Sequence, residues 1–181
     1  VGSQTDALSG VGATTCTVCV AGQVSAVSTD ACAECAAGQY QGNTGQSECL
    51  ECAAGSATDT LAGTGAVSCT SCAAGQYSAT STSACALCLG GSVTNALSAV
   101  GATTCTACAA GQYSDTPTVA CAVCPGGSIT NTLAVEGATD CTSCEAGQYS
   151  ADSTVACSAC SAGQFQGSAG QPSCSSCDPE D

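Results

Sequence analysis

The chain has 181 residues, of which 14 are acidic and none is Lys, Arg or His, giving a formal net charge of −14. With no cation to neutralise phosphates or meet anionic headgroups, nucleic-acid binding and charge-driven membrane binding are excluded. Four Tyr, one Phe, no Trp and no Met leave an apolar fraction made largely of Ala and Cys. At about 25 cal/mol per Å² that fraction supports no single large core, so the twenty cysteines must hold the fold.

All twenty cysteines fall in ten Cys-x-x-Cys pairs, beginning at Cys16, Cys32, Cys49, Cys69, Cys85, Cys105, Cys121, Cys141, Cys157 and Cys174. In chain order, Val1–Thr15 reads as a long segment without an opening cysteine. Its Gly2, Ser3, Thr5, Leu8, Gly12 and Ala13 match Gly91, Ser92, Thr94, Leu97, Gly101 and Ala102. A short segment of the Ala-Gly-Gln-Tyr-Ser kind follows Cys19, with Val24 in place of Tyr. A glycine-glutamine segment follows Cys35, running through Gln41–Gln46. A long segment of the form Gly-Ser-x-Thr-x-x-Leu, then Gly-Ala, follows Cys52.

Short and long segments then alternate after Cys72, Cys88, Cys108, Cys124 and Cys144. A second glycine-glutamine segment, with Gln166–Gln171, follows Cys160, and the chain ends on the acidic cluster Asp178, Glu180 and Asp181. One long and one short segment make a 36-residue unit, clearest at 69–104, at 105–140 and from 141. Residues 1–181 therefore read as one continuous array without a linker. The start at Val1, with no initiator methionine or leader, reads as a processed piece, and no run of 18 apolar residues predicts a membrane span.

A glycine stands three residues after the second cysteine of nine pairs, from Gly22 to Gly163. Such regularity predicts a positive φ or a neighbouring backbone too close for a Cβ. Tyr40, Tyr77, Tyr113, Tyr149 and Phe165 each stand two residues after such a glycine. They are expected to cover a bridge and the adjoining module; a ligand box would need several convergent groups. Ala57, Val93 or Ile129, with Leu61, Leu97 or Leu133, take the same packing role in long segments. Strands of two to four residues are predicted around Gln76–Ser78 and Ser92–Asn95. The expected fold class is a small disulfide-rich repeat: an elongated rod of tandem Cys-x-x-Cys modules, with short β-hairpins and little or no helix.

Three chemistries compete for the cysteines. A redox motif needs a low-pKa thiol beside a helix N-terminus or a basic group, and neither is in the pattern. Structural zinc fits pairs 12 to 16 residues apart. Four thiolates on each ion would, however, carry uncompensated charge in a chain without cations. Structural disulfides remain. Bridging within a pair would close strained rings and tie down no loop. Bridging each second cysteine to the next pair's first closes every segment separately, contributing on the order of 3 kcal/mol per loop. The expected pairs are Cys19–Cys32, Cys35–Cys49, Cys52–Cys69, Cys72–Cys85, Cys88–Cys105, Cys108–Cys121, Cys124–Cys141, Cys144–Cys157 and Cys160–Cys174, which leaves Cys16 and Cys177 over. No cofactor and no metal ligand set is expected, and no Asp-x-Asp-x-Asp-Gly loop supports calcium.

Cys-x-x-Gly-x-Tyr followed by a cysteine about nine residues later resembles the single-bridge module of tumour-necrosis-factor-receptor cysteine-rich domains. Strung between Cys-x-x-Cys pairs, the pattern is similar to the ephrin-receptor-like cysteine-rich repeats, which also occur in protist and algal surface proteins. The resemblance implies elongated extracellular repeats with sequential bridging. The lack of basic residues and the Ala/Thr/Ser/Gly filling depart from a receptor-like ligand face.

No nucleophile–base pair, phosphate-cradling loop or catalytic elbow is present, so the chain does not read as an enzyme. The expected function is an extracellular or cell-surface structural protein, the subunit of a filament, stalk or coat. The alternative is a ligand-binding cysteine-rich ectodomain fragment of a receptor-like protein; near-identical loops without charged or aromatic hot spots favour structure. The expected partner is a second copy joined head to tail, with Val1–Thr15 completing the repeat beyond Cys174/Cys177 and Cys16 and Cys177 available for a bridge between subunits. Ser and Thr density predicts O-linked glycans, while Asn43, Asn95 and Asn131 all fail the N-glycosylation sequon.

Overall fold

The computed structural model describes residues 1–177; the acidic cluster Asp178, Glu180 and Asp181 lies outside the described residues. Among those described, the regular structure is all antiparallel, in two-stranded hairpins with strands of two or three residues, and no helix forms. Alanine, serine and glycine at this density do not sustain longer strands, and every hairpin after the first is held at its base by a disulfide rather than by a broad sheet. Among the described residues, no helix is long and apolar enough to cross a membrane.

Nine disulfides define nine modules, numbered here in chain order. Their bridges are Cys19–Cys32, Cys35–Cys49, Cys52–Cys69, Cys72–Cys85, Cys88–Cys105, Cys108–Cys121, Cys124–Cys141, Cys144–Cys157 and Cys160–Cys174. Val1–Cys16 forms an opening hairpin with no bridge, and Cys16 and Cys177 are free and exposed.

The local cause of each hairpin is a turn built on the recurrent glycine. Gln76 N–H donates to Ala73 C=O at 2.9 Å and Ser92 N–H to Leu89 C=O at 3.1 Å, with φ of 78° at Gly75 and 80° at Gly91. A positive φ at the third position is the type II geometry that glycine adopts at no steric cost. The strand after the turn pairs with the two residues between the next pair of cysteines. Tyr77 faces Ala86, Gln76 faces Leu87, and in the long modules Val93 faces Thr106 and Ile129 faces Thr142. The Cys-x-x-Cys spacing is thus a strand: its first cysteine closes one module while its second opens the next. Sequence reasoning placed the first strand of each hairpin and missed this partner.

The described chain comprises two compact units. The first contains Val1–Leu87 and Ala99–Thr104; the second contains Cys88–Ser98 and the chain from Cys105 onward. In the first unit, the buried apolar groups are Cys19, Cys35, Cys52, Cys72, Ala66 and Ala102; in the second they are Cys88, Cys108, Cys124, Cys144 and Ala138. The cores are therefore made of sulfur and methyl groups. Opening cysteines of modules 1 to 8 are buried and closing cysteines half-buried, so each bridge runs from the interior to the surface.

Candidate assembly interface

Within each unit, modules meet through backbone. Gly22 N–H donates to Gln41 C=O at 2.7 Å, Gly55 N–H to Ser78 C=O at 2.8 Å, and in the second unit Gly91 N–H to Ser114 C=O at 2.7 Å. A second set runs from the residue after the aromatic position: Gln41 N–H to Ala66 C=O, Ser78 N–H to Ala102 C=O and Ser114 N–H to Ala138 C=O, each 3.0 Å. Tyr40, Tyr77 and Tyr113 form parallel bridges with those same alanines, and Val24 does so with Gln46. Backbone groups are common to every residue, so the interface repeats wherever the loop has the right length and a small side chain.

Contacts also reach the second neighbour. A Cβ on Gly55 would strike the Gly101 carbonyl oxygen, one on Gly91 that of Gly137, and one on Gly22 that of Gly65. Gly38 lies against Ser81 and Gly111 against Ser153; the serine hydroxyls donate to the glycine carbonyls at 3.4 and 3.3 Å. Gly22, Gly55 and Gly91 therefore meet both requirements, a positive φ and a close backbone.

The position three residues after the glycine is a polar pin whose identity follows module type, a signal that sequence reasoning did not use. In short modules it is Ser25, Ser78, Ser114 or Ser150, buried, with its hydroxyl on carbonyls two and five residues ahead, as at 2.7 and 2.9 Å for Ser114. In long modules it is Thr58, Thr94 or Thr130, donating to the carbonyl of Leu61, Leu97 or Leu133. In glycine-glutamine modules it is Gln41 or Gln166, whose amides donate to Glu48 and Ser173 carbonyls at 2.8 Å. Among the described residues, no buried side-chain polar atom lacks a partner, as a thin core requires.

The long-loop leucines do more than pack. Leu61, Leu97 and Leu133 have φ of 53°, 50° and 52°, a left-handed conformation that costs a non-glycine residue about 1 kcal/mol. The threonine pin clamps the leucine carbonyl, and the leucine N–H donates to the threonine carbonyl at 3.1 Å in all three. The loop is stapled further on by Asp6, Asp59 or Asn131. Asp6 accepts from Thr14 N–H at 2.9 Å and from the Thr14 hydroxyl at 2.6 Å. The Thr14 hydroxyl foremost, then the Thr15 backbone, with smaller contributions from the Thr14 amide and Thr15 hydroxyl, lowers its carboxyl from an ordinary 3.8 to about 2. The Thr154 amide and hydroxyl lower Asp152 in the same direction.

Two faces of the described chain are open where their internal counterparts are covered. Ala13 is exposed, whereas Ala66, Ala102 and Ala138 are 1, 1 and 0% exposed. Gly12, with φ of 84°, has open space around it, as do Gly147 and Gly163. Tyr40, Tyr77, Tyr113 and Tyr149 are half-buried while Phe165 is 53% exposed. Ala13 stands in the loop that leads into the strand opened by Cys16, and Cys177 follows the strand whose Ser175 pairs with Phe165. Ser28 and Thr29 are exposed, while their counterparts Ser81, Thr82, Ser153 and Thr154 are half-buried. A cleft of about 250 Å³ lies in module 8, lined by Tyr149, Ala151, Asp152, Val155 and Ser158. Its carboxylate is already engaged by Thr154.

Residues 22–66 and 147–181 match the family model of the tyrosine-protein kinase ephrin type A/B receptor-like repeats. No curated protein matches the chain. The matched segments begin at equivalent glycines, Gly22 and Gly147, each opening a short module followed by a glycine-glutamine module.

Proposed function

We propose that this chain, which carries ephrin-receptor-like cysteine-rich repeats, is an extracellular structural protein whose copies join end to end into a filament, stalk or coat. The disulfides belong to an oxidising compartment, and the repeat family is of the cysteine-rich ectodomain kind. The observation that carries the assembly reading is the interface itself. Neighbouring modules join through backbone bonds and glycine contacts that any module of the same type reproduces, so the array has no built-in stop.

Cys177 and Cys16 occupy the positions that Cys52 and Cys69 hold around an internal long segment. A bridge between Cys177 of one copy and Cys16 of the next would close the equivalent loop. Two thiols would lose two protons and two electrons to a small-molecule disulfide, which leaves as two thiols. The contact is heterologous and non-closing, which generates an open polymer. The aromatic residues Tyr40, Tyr77, Tyr113, Tyr149 and Phe165 fit this reading as packing groups between modules.

Non-reducing electrophoresis with electron microscopy of the oxidised chain tests it. A ladder of multiples that collapses on reduction, with rods or fibres in the images, supports the reading. A monomer with Cys16 and Cys177 both free overturns it.

A further inference from the structure

We propose that the two open faces are the halves of one non-covalent joint, in which Gly12–Ala13 of a second copy docks on modules 8 and 9 in the register that module 3 takes on modules 1 and 2. This rests on the end-to-end reading above. The order short, glycine-glutamine, long, short occurs inside the chain over Cys19–Cys85. It recurs when modules 8 and 9 of one copy are followed by the opening hairpin and module 1 of another, so each contact of the joint has an internal precedent.

Inside, Gln41 N–H donates to Ala66 C=O at 3.0 Å, Gly65 N–H to Cys35 C=O at 2.8 Å, and Tyr40 bridges Ala66 in parallel. In the joint, Gln166 N–H donates to the second copy's Ala13 C=O, its Gly12 N–H donates to Cys160 C=O, and Phe165 runs beside its Ala13. Gly22 lies against Gly65 and Gly38 beneath Ser81; Gly147 would lie against the second copy's Gly12 and Gly163 beneath its Ser28.

The half of this register that one copy can form by itself is already in place. Gly147 N–H donates to Gln166 C=O at 2.7 Å, as Gly22 does to Gln41. Gly170 N–H donates to Cys144 C=O at 2.8 Å, as Gly45 does to Cys19 at 2.9 Å. Cys177 N–H donates to Gly163 C=O at 2.9 Å, as Cys52 does to Gly38. The receiving face is therefore preorganised, and docking orders little beyond the two surfaces. The faces it joins are those on which Ala13, Ser28, Thr29 and Phe165 are exposed and Gly12, Gly147 and Gly163 have open space.

The test uses the full chain with Cys16→Ser and Cys177→Ser, so that no covalent link contributes, in roughly 0.5 M salt to screen the repulsion between copies of net charge −14. Sedimentation over a concentration series reads association. Ala13→Arg places a large cation where the internal counterparts are fully buried and weakens association by roughly 100-fold or more. Val11→Arg is the control, because Val11 is 101% exposed, its counterpart Thr64 in module 3 stays exposed, and the Glu34 that Thr64 meets is replaced by Ala159 at the joint; it changes association by less than about threefold. Both side chains are exposed in the single copy, so neither variant disturbs folding. Association that survives Ala13→Arg as well as Val11→Arg overturns the register and leaves the end-to-end reading standing. A cysteine-substituted chain that is monomeric throughout overturns the docked joint. The end-to-end reading falls separately, when the unsubstituted chain fails to multimerise under oxidising conditions.

Discussion

The opening hairpin and module 3 are the same sequence element in two settings. Val1–Cys16 and Cys52–Cys69 share the Gly-Ser-x-Thr-x-x-Leu pattern, three-residue strands in the same register, a left-handed leucine and an aspartate staple. They differ in two respects: module 3 has a bridge and Ala66 is covered, whereas the opening hairpin has neither bridge nor cover at Ala13. The hairpin geometry follows from turn chemistry, the threonine pin and the staple, all of which are local. Burial and cross-linking come from elsewhere and are not needed to draw the hairpin.

The largest effect that separates these contributions is reduction of all nine bridges. Each closed loop contributes on the order of 3 kcal/mol, and a core of sulfur and alanine offers little to replace it. The reduced chain is expected to lose all cross-strand pairing. In the oxidised protein, the unbridged hairpin keeps the Gln4–Thr17 pairing. Amide exchange with and without reductant measures both, and a reduced chain with protected amides would refute the first.

Smaller and more local is the pair Gly55→Ala and Gly12→Ala. Both glycines have positive φ, of 81° and 84°. Only Gly55 faces a backbone carbonyl; Gly12 has nothing within 4 Å. Gly12→Ala should cost about 1 kcal/mol, the backbone term alone. Gly55→Ala should cost about 3 kcal/mol, because the Gly101 backbone must also move. Equal costs in denaturant unfolding would show that second-neighbour packing contributes nothing.

The smallest effect is on the staple. Asp6 has a folded pKa lowered to about 2 from 3.8, so its contribution is complete above about pH 4 and is lost as the pH falls towards 2. Asn131 makes the same staple with Thr139, donating from Nδ2 at 2.8 Å and accepting from the amide at 3.1 Å. Asp6→Asn is therefore expected to keep the loop and abolish the titration of the Thr14 amide centred near pH 2. A Thr14 amide shift that still moves around that pH would contradict the assignment.

Much of this architecture can be read from residue spacing. The regular glycine predicts a turn with positive φ, and the alternating Gln-Tyr and Ser-x-Thr stretches predict the first strand of each hairpin. The second strand was harder to see, because the two residues between paired cysteines vary from Leu87 to Ser143 and carry no β signature; the bridge, not propensity, holds them in place. The polar pin was visible as a fixed Ser, Thr or Gln three residues after each glycine. Its meaning needed the observation that this position is buried in every module but the ninth, where Gln166 is half-buried.

The sequence by itself determined the module: loop length, turn, pin and cysteine spacing act within some twenty residues, where chain connectivity limits the alternatives. Only the tertiary structure decided that Gly22 meets Gly65 and Gly55 meets Gly101, two modules ahead, and hence which faces stay open at Ala13 and Gly163. Those contacts join backbone to backbone. Peptide groups are alike at every residue and leave no side-chain pattern by which a sequence could announce the partner.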